Sequence, residues 1–155
     1  MLNASRPDTS LPLHGVAASR TIEQMAQATL PAHTLMRRAG AAVARLALAV
    51  APHAQRVWIA AGPGNNGGDG LEAAIHLLRA GREVRVTLIG DAAALPLDAA
   101  DALHRAQAAG VEIGAAGAPP LERHDLAIDA LLGLGASRAP QDSLAATIAE
   151  LNALP

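Results

Sequence analysis

The spacing of apolar positions changes at residue 56. Before it the rhythm is helical: Leu35, Ala39, Val43, Leu46 and Val50 recur every three or four residues, which predicts one amphipathic helix ending before Pro52. A shorter helix precedes it. Thr21 and Gln24 have the form of a capping box, and Ile22, Met25 and Ala26 give an apolar face that runs up to Pro31. From Arg56 the pattern becomes short unbroken apolar runs alternating with helical ones. "VWIAA" reads as a strand buried on both faces and "EVRVTLIG" as the next strand, and Leu71, Ala74, Ile75 and Leu78 between them step along a helix with Gly81 as its C-cap. "PLDAADALHRAQAAG" is a further helix with Gly110 past its end. "VEIG" and "HDLAIDALLG" are further strands, and Asp142 is placed to cap a last helix carrying Leu144, Ile148 and Leu151. Alternation of this kind predicts βαβ units, a parallel sheet and helices on both faces.

Composition narrows the class. With 155 residues, half of them apolar, the chain can form at most one domain with a real core. That core has to be aliphatic, since Trp58 is the only aromatic residue. A net charge of -2 supplies no basic footprint for nucleic acid. The absence of cysteine excludes disulfides, thiolate catalysis and cysteine zinc sites. "AGAAVARLALAVAP" is too short and too interrupted to span a bilayer, and residues 1–15 carry no secretory pattern, so the expected location is cytoplasmic, with a mobile N-terminus over 1–15. None of the six histidines pairs with another at helical ligand spacing, and each reads as a surface or boundary residue.

The unusual chemistry lies in "GPGNNGGDG", Gly62 to Gly70. Gly62, Gly64 and Gly67 satisfy the dinucleotide fingerprint, but its acidic partner would fall near Glu83, at the start of the next strand instead of its end. The same stretch has the glycine spacing of a P-loop, with Gly68 and Asp69 where Lys and Ser or Thr are required. Common to every reading is a strand-to-helix turn whose N–H groups converge on a ligand, with the Asn65 and Asn66 amides offering donors and acceptors. Asp69 reads either as a helix cap or as a site acid.

This loop is similar to the signature of the YjeF N-terminal domain family, the NAD(P)H-hydrate epimerases. "DLAIDALLGLGASRAP" resembles that family's later strand and glycine loop, and "LPAHTLMRRAGAAVARLALAVAP" its N-terminal helices, so the likeness extends from about Val16 onward. The resemblance implies a Rossmann-like three-layer α/β sandwich with a mostly parallel sheet preceded by two helices. It implies an isomerase that interconverts the R and S epimers of hydrated NADH or NADPH, working with a fused or separate ATP- or ADP-dependent dehydratase and forming a homodimer. Carried onto this chain, substrate would meet Asn65, Asn66, Gly67, Gly68 and Asp69, and the loop Gly133, Leu134, Gly135, Ala136, Ser137, Arg138 and Ala139. One potassium ion per subunit would take oxygen ligands from Asn66 and Asp129.

The family's next strand carries an Asp, implicated in acid–base chemistry on the ring, and a Pro-Ser-Gly turn. The sequence finishes at Pro155, where that strand should begin, so the resemblance puts the catalytic Asp beyond Pro155. The expectation is therefore an incomplete domain over 16–155 lacking its C-terminal strands, with impaired activity and only Asp69 left as an acid. A non-catalytic binding or scaffold module on the same fold is the alternative.

Overall fold

The computed structural model describes residues 13–115 and 117–154. The segment expected to be mobile lies almost entirely outside the described residues, as does Pro155. Helices α1 (Val16–Gln27) and α2 (Thr34–Val50) lead into β1 (Arg56–Ala61), α3 (Asn65–Arg79) and β2 (Glu83–Leu88). After them come α4 (Leu97–Ala108), β3 (Glu112–Gly114), β4 (Leu126–Ala130) and α5 (Asp142–Asn152). The four strands are parallel in the order β3-β2-β1-β4. The chain steps outward from β1 to β2 to β3 and then returns to the opposite side of β1, which makes the carboxyl ends of β1 and β4 the switch point of the sheet.

Alternate strand residues feed two cores. Val57, Ile59 and Ala61 of β1, with Val84 and Val86 of β2, pack under α2, α3 and α4. Trp58 and Ala60 point the other way, toward Leu144, Ile148 and Leu151 of α5. Trp58 is fully buried, and its indole N–H donates to Thr87 Oγ1 at 3.0 Å, so the one large aromatic leaves no polar atom unmatched. At the other end of the strands the Arg56 backbone N–H donates to Asp125 Oδ1 at 3.2 Å and its Nε lies 3.1 Å from Oδ2. The Glu122 N–H foremost, with those Arg56 groups, holds the Asp125 carboxyl below its ordinary range despite burial.

Helix ends follow the glycines where φ is positive. Gly81 (φ 80) and Gly110 (φ 85) each sit just past a helix, and both close Schellman motifs: Arg82 N–H to Leu77 O, and Val111 N–H to Ala106 O. Helix starts differ more from expectation. Thr21 does not cap α1; it lies inside the helix and its hydroxyl donates to Ala17 O at 3.0 Å. Asp142 is the first residue of α5, with φ 50 and Gln141 before it, and does not cap it.

Two apolar faces are also displaced. In α2 the buried residues are Met36, Gly40, Ala44 and Ala47, whereas Leu46 and Val50 of the expected stripe are exposed. The reason is close approach to α3: a Cβ at Gly40 would overlap the Glu72 side chain and the Ala73 N. Small residues, not large ones, mark that contact. In α1 Ile22 and Met25 are exposed, while Arg20 and Glu23 lie toward the loops at the carboxyl edge of the sheet.

The largest difference is at the glycine-rich stretch, where α3 begins at Asn65 instead of Leu71. Glycine in a helix interior costs about 1 kcal/mol relative to alanine, so each one here needs a compensating contact. A Cβ on Gly67 would overlap the Gly62 carbonyl, one on Gly68 would sit 2.5 Å from Met36 Sδ, and one on Gly70 would sit 2.7 Å from Ala130 Cβ. What comes close to this backbone is the protein itself. Gly64, the N-cap, has nothing within 4 Å. Gly67→Ala is therefore expected to lower Tm by roughly 10 °C or more through overpacking against main chain. Gly64→Ser, which supplies a good N-cap, should leave Tm unchanged or raise it slightly; thermal melts of the two variants separate a packing glycine from a free one.

Candidate functional site

The site is assembled where the loops leaving β1 and β4 meet. Ala61 and Ala130 are register partners. Gly62 N–H donates to Ala130 O at 3.0 Å, and the Gly62 backbone runs so close to Leu131 that a Cβ would overlap the Leu131 carbonyl. In the first turn of α3, Asn66 Nδ2 donates to Leu132 O at 3.2 Å. Gly133 approaches so closely that a Cβ there would stand 3.2 Å from Asn66 Cβ. The start of α3 is thus fastened to the β4 loop by a side-chain amide whose oxygen remains available.

Asp129 pairs in register with Ala60 on the neighbouring strand, at the same carboxyl edge as Asn66. Ala130 is the last residue of β4, and Asp129 is exposed, with Oδ1 accepting the Leu131 N–H at 2.9 Å. No desolvation cost therefore calls for a cation at Asp129. Among the described residues no group of three or more His, Asp or Glu side chains could hold a metal. The amide oxygen of Asn66, the second carboxylate oxygen of Asp129 and the nearby loop carbonyls are hard oxygen donors, the chemistry that suits an alkali or alkaline-earth cation.

The other expected residues divide. Asn65 is exposed and Asn66 and Asp69 are half-buried, so these three present polar groups, whereas Gly67 and Gly68 are buried packing positions. Gly133, Leu134, Gly135, Ala136, Ser137, Arg138 and Ala139 form an exposed loop, turned by the Ala136 N–H to Gly133 O bond at 3.1 Å. Arg20 of α1 comes to this loop, with Nη2 3.7 Å from where a Gly135 Cβ would be. Sequence reasoning missed Arg20, because its neighbours there are distant in the chain and its own helix was read by its apolar positions.

Asp69 is not a cap. It lies one turn inside α3 and, among the described residues, accepts no hydrogen bond and forms no ion pair. Burial first, and then the like charge of Glu23 on α1, push its carboxyl up to about 6. An unpaired, half-buried acid beside a second carboxylate is costly as a structural element. Its raised carboxyl, in the first turns of the helix that starts at the Asn65–Asn66 loop, marks it as a candidate for proton transfer. The perturbed acid that the described residues do bring to the site is Asp69, where the sequence pointed past Pro155 for the main one.

Comparison with known proteins agrees with this layout. The model of the family described as YjeF-related protein N-terminus matches residues 32–155. The NAD(P)H-hydrate epimerase of Achromobacter xylosoxidans (strain A8) is 46% identical over 128 residues, covering 82% of this chain and 60% of that protein. The bifunctional NAD(P)H-hydrate repair enzyme Nnr of Coxiella burnetii (strain RSA 493 / Nine Mile phase I) is 38% identical over 133 residues, covering 83% of this chain and 27% of that protein. The crystal structure of yeast ynu0, YNL200c, superposes with a TM-score of 0.75 at 21% identity, over 94% of this chain and 68% of that one, and shows the same fold. The chain thus spans little more than half the length of the epimerase it matches, and no helix among the described residues is long and apolar enough to cross a membrane.

The state of Asp69 has a measurable signature. A carboxyl raised from 3.8 to about 6 binds its proton more tightly folded than unfolded. The folded state is then favoured at low pH, and this contribution is lost as pH rises from about 4 through 6. Asp69→Asn is expected to raise Tm at pH 7, to leave it unchanged near pH 4 and to flatten the profile between. Melts across that range read it directly; equal effects at pH 4 and 7 would show that the carboxyl is not perturbed.

Proposed function

The chain belongs to the YjeF-related protein N-terminus family, and on that premise we propose that it is the epimerase unit of nicotinamide-cofactor repair, interconverting the R and S epimers of hydrated NADH or NADPH. One observation carries the reading. The Asn65–Asp69 signature and the Gly133 loop, far apart in sequence, are fastened together at the switch point of the sheet, where ligands of open α/β folds bind.

In this reading the exposed loop Gly133–Ala139 takes the phosphates on its backbone N–H groups, assisted by Arg20 and Arg138. Asn65 and Asn66 orient the hydrated ring. Potassium, when bound by Asn66 and Asp129, supplies fixed positive charge beside the substrate. Asp69, its carboxyl raised to about 6, is the group among these residues that holds or releases a proton at the hydroxyl-bearing carbon. A scaffold would have no use for that unpaired acid. We place the activity beside an ATP- or ADP-dependent dehydratase, fused or separate, and in a homodimer, for which the exposed Ile22 and Met25 of α1 offer apolar surface.

The test is interconversion of the two hydrate epimers followed by chromatography, with the spontaneous rate subtracted. It is run on the 155-residue chain and on that chain joined, after Pro155, to the segment that follows the matched region in the Achromobacter relative. Hydrate binding is expected in both, with turnover above background in the joined form and dependence on potassium. Asp69→Asn should lower turnover by about 10²-fold or more, and Asp129→Ala should weaken ion and substrate binding together. Binding without turnover in either form would favour the scaffold alternative; no hydrate binding in either would end the reading.

A further inference from the structure

Away from the loops of β1 and β4, a groove of about 510 Å³ lies between α2, α3 and α4. Five of the chain's twelve arginines line it, in a molecule whose net charge is -2. Thr34, Arg37, Arg38, Ala41 and Arg45 recur at helical spacing and form one wall, about 16 Å of α2. His76 and Arg79 of α3 and Arg105 of α4 stand across from them. Three observations set this groove apart from a solvated helix surface. Arg37, Arg38, Arg45 and Arg79 are exposed and form no ion pair or side-chain hydrogen bond among the described residues, whereas Arg56 is paired with Asp125 and Arg85 with Glu112. Arg37 and Arg38 stand at the amino end of α2, whose first turn has no acidic residue, although the helix dipole there favours anions. The framework is also fixed. Arg105 Nη1 lies 2.5 Å from Glu72 Oε2 and its Nε 2.7 Å from Asp101 Oδ2, while His33 Nδ1, 2.6 Å from Asp98 Oδ1, ties the start of α2 to α4.

We propose that this groove binds an oligophosphate anion, the chemistry shared by inorganic polyphosphate and the triphosphate tail of a free nucleotide. Glu72 is the only carboxylate among the described lining residues, and Arg105 already meets it. The other four guanidinium groups are left with mutual repulsion that an anion relieves. Guanidinium forks match phosphate oxygens in pairs, and the Thr34 hydroxyl adds a donor. Arginines spread along α2 and across to α3 suit a chain of linked phosphates better than a single one. A protein partner would bring apolar anchors, and Ala41 is the only apolar residue among the described lining residues to receive them. The groove uses none of the residues that the epimerase reading assigns, so the two stand independently.

The probes are inorganic tripolyphosphate, ATP and inorganic phosphate, titrated calorimetrically into the 155-residue chain at two salt concentrations. Tripolyphosphate should bind about tenfold or more tightly than phosphate, and more weakly at the higher salt. Arg38→Ala and Arg45→Ala should each weaken it about threefold and together about tenfold, with Tm unchanged or higher when no anion is present, because both side chains are exposed. Tighter binding of ATP than of tripolyphosphate would identify a free nucleotide as the source, and the reverse order an inorganic chain. Equal affinity for phosphate and tripolyphosphate, or an affinity untouched in the double variant, would overturn the proposal. So would binding of poly-glutamate without binding of tripolyphosphate, which would assign the groove to an acidic protein. Hydrate epimerisation, measured alongside, bears on the epimerase reading alone.

Discussion

The site depends on how near α3 can come to the ends of β1 and β4. That distance is set by side chains that are missing. Gly67 against the Gly62 carbonyl, Gly62 against Leu131 and Gly70 against Ala130 each leave room for main chain or a methyl group and nothing more. Only with the helix drawn in this far does the Asn66 amide reach the Leu132 carbonyl. The flexibility that glycines bring to the unfolded chain is a real cost, and contacts at interior packing density offset it. The result is a sheet edge built from main chain on both sides, with few side chains available to relax it.

Much of the architecture was legible because its causes are local. A strand buried on both faces reads as an unbroken apolar run, and a left-handed residue just past a helix favours glycine, so β1, Gly81 and Gly110 stand where the pattern puts them. The start of α3 was not legible, since five glycines in nine residues read as a loop until the packing partners are known. The buried face of α2 was misplaced by a residue because Gly40 and Ala44, not Leu46, meet α3. At the site, the signature and the Asp129 segment were recognisable as motifs. The His33–Asp98 pair spans 65 residues of sequence, and no spacing rule reaches that far.

Two carboxylates on α3 show how structural and chemical acids differ. Glu72 is almost wholly buried, yet it lies 2.5 Å from Arg105 Nη1 and 3.4 Å from His76 Nε2, and Arg105 in turn bonds Asp101 at 2.7 Å. Its charge is met by the Arg105 guanidinium, which ties α3 to α4. Breaking one partner of such a buried group costs far more than the pair itself contributes. Asp69, three residues earlier, has a second acid as its charged neighbour and no compensating cation among the described residues. The same helix thus carries one acid paired for structure and one whose proton is held more tightly by burial and a like charge.

The strand order has a consequence for how the protein comes to exist. β1 is central, and it meets β2 across a single intervening helix, whereas the contact of Arg56 with Asp125 that seats β4 spans 69 residues. Closing so long a loop is entropically slow, and non-local parallel pairing is the step that limits folding in such topologies. The β1–α3–β2 unit can therefore form while the seam with β4 is still open, and the junction of the two loops is completed only when that seam zips. A ligand that bridges the two loops holds shut the joint that closed last, so occupancy would show itself first as protection of β4 amides from hydrogen exchange.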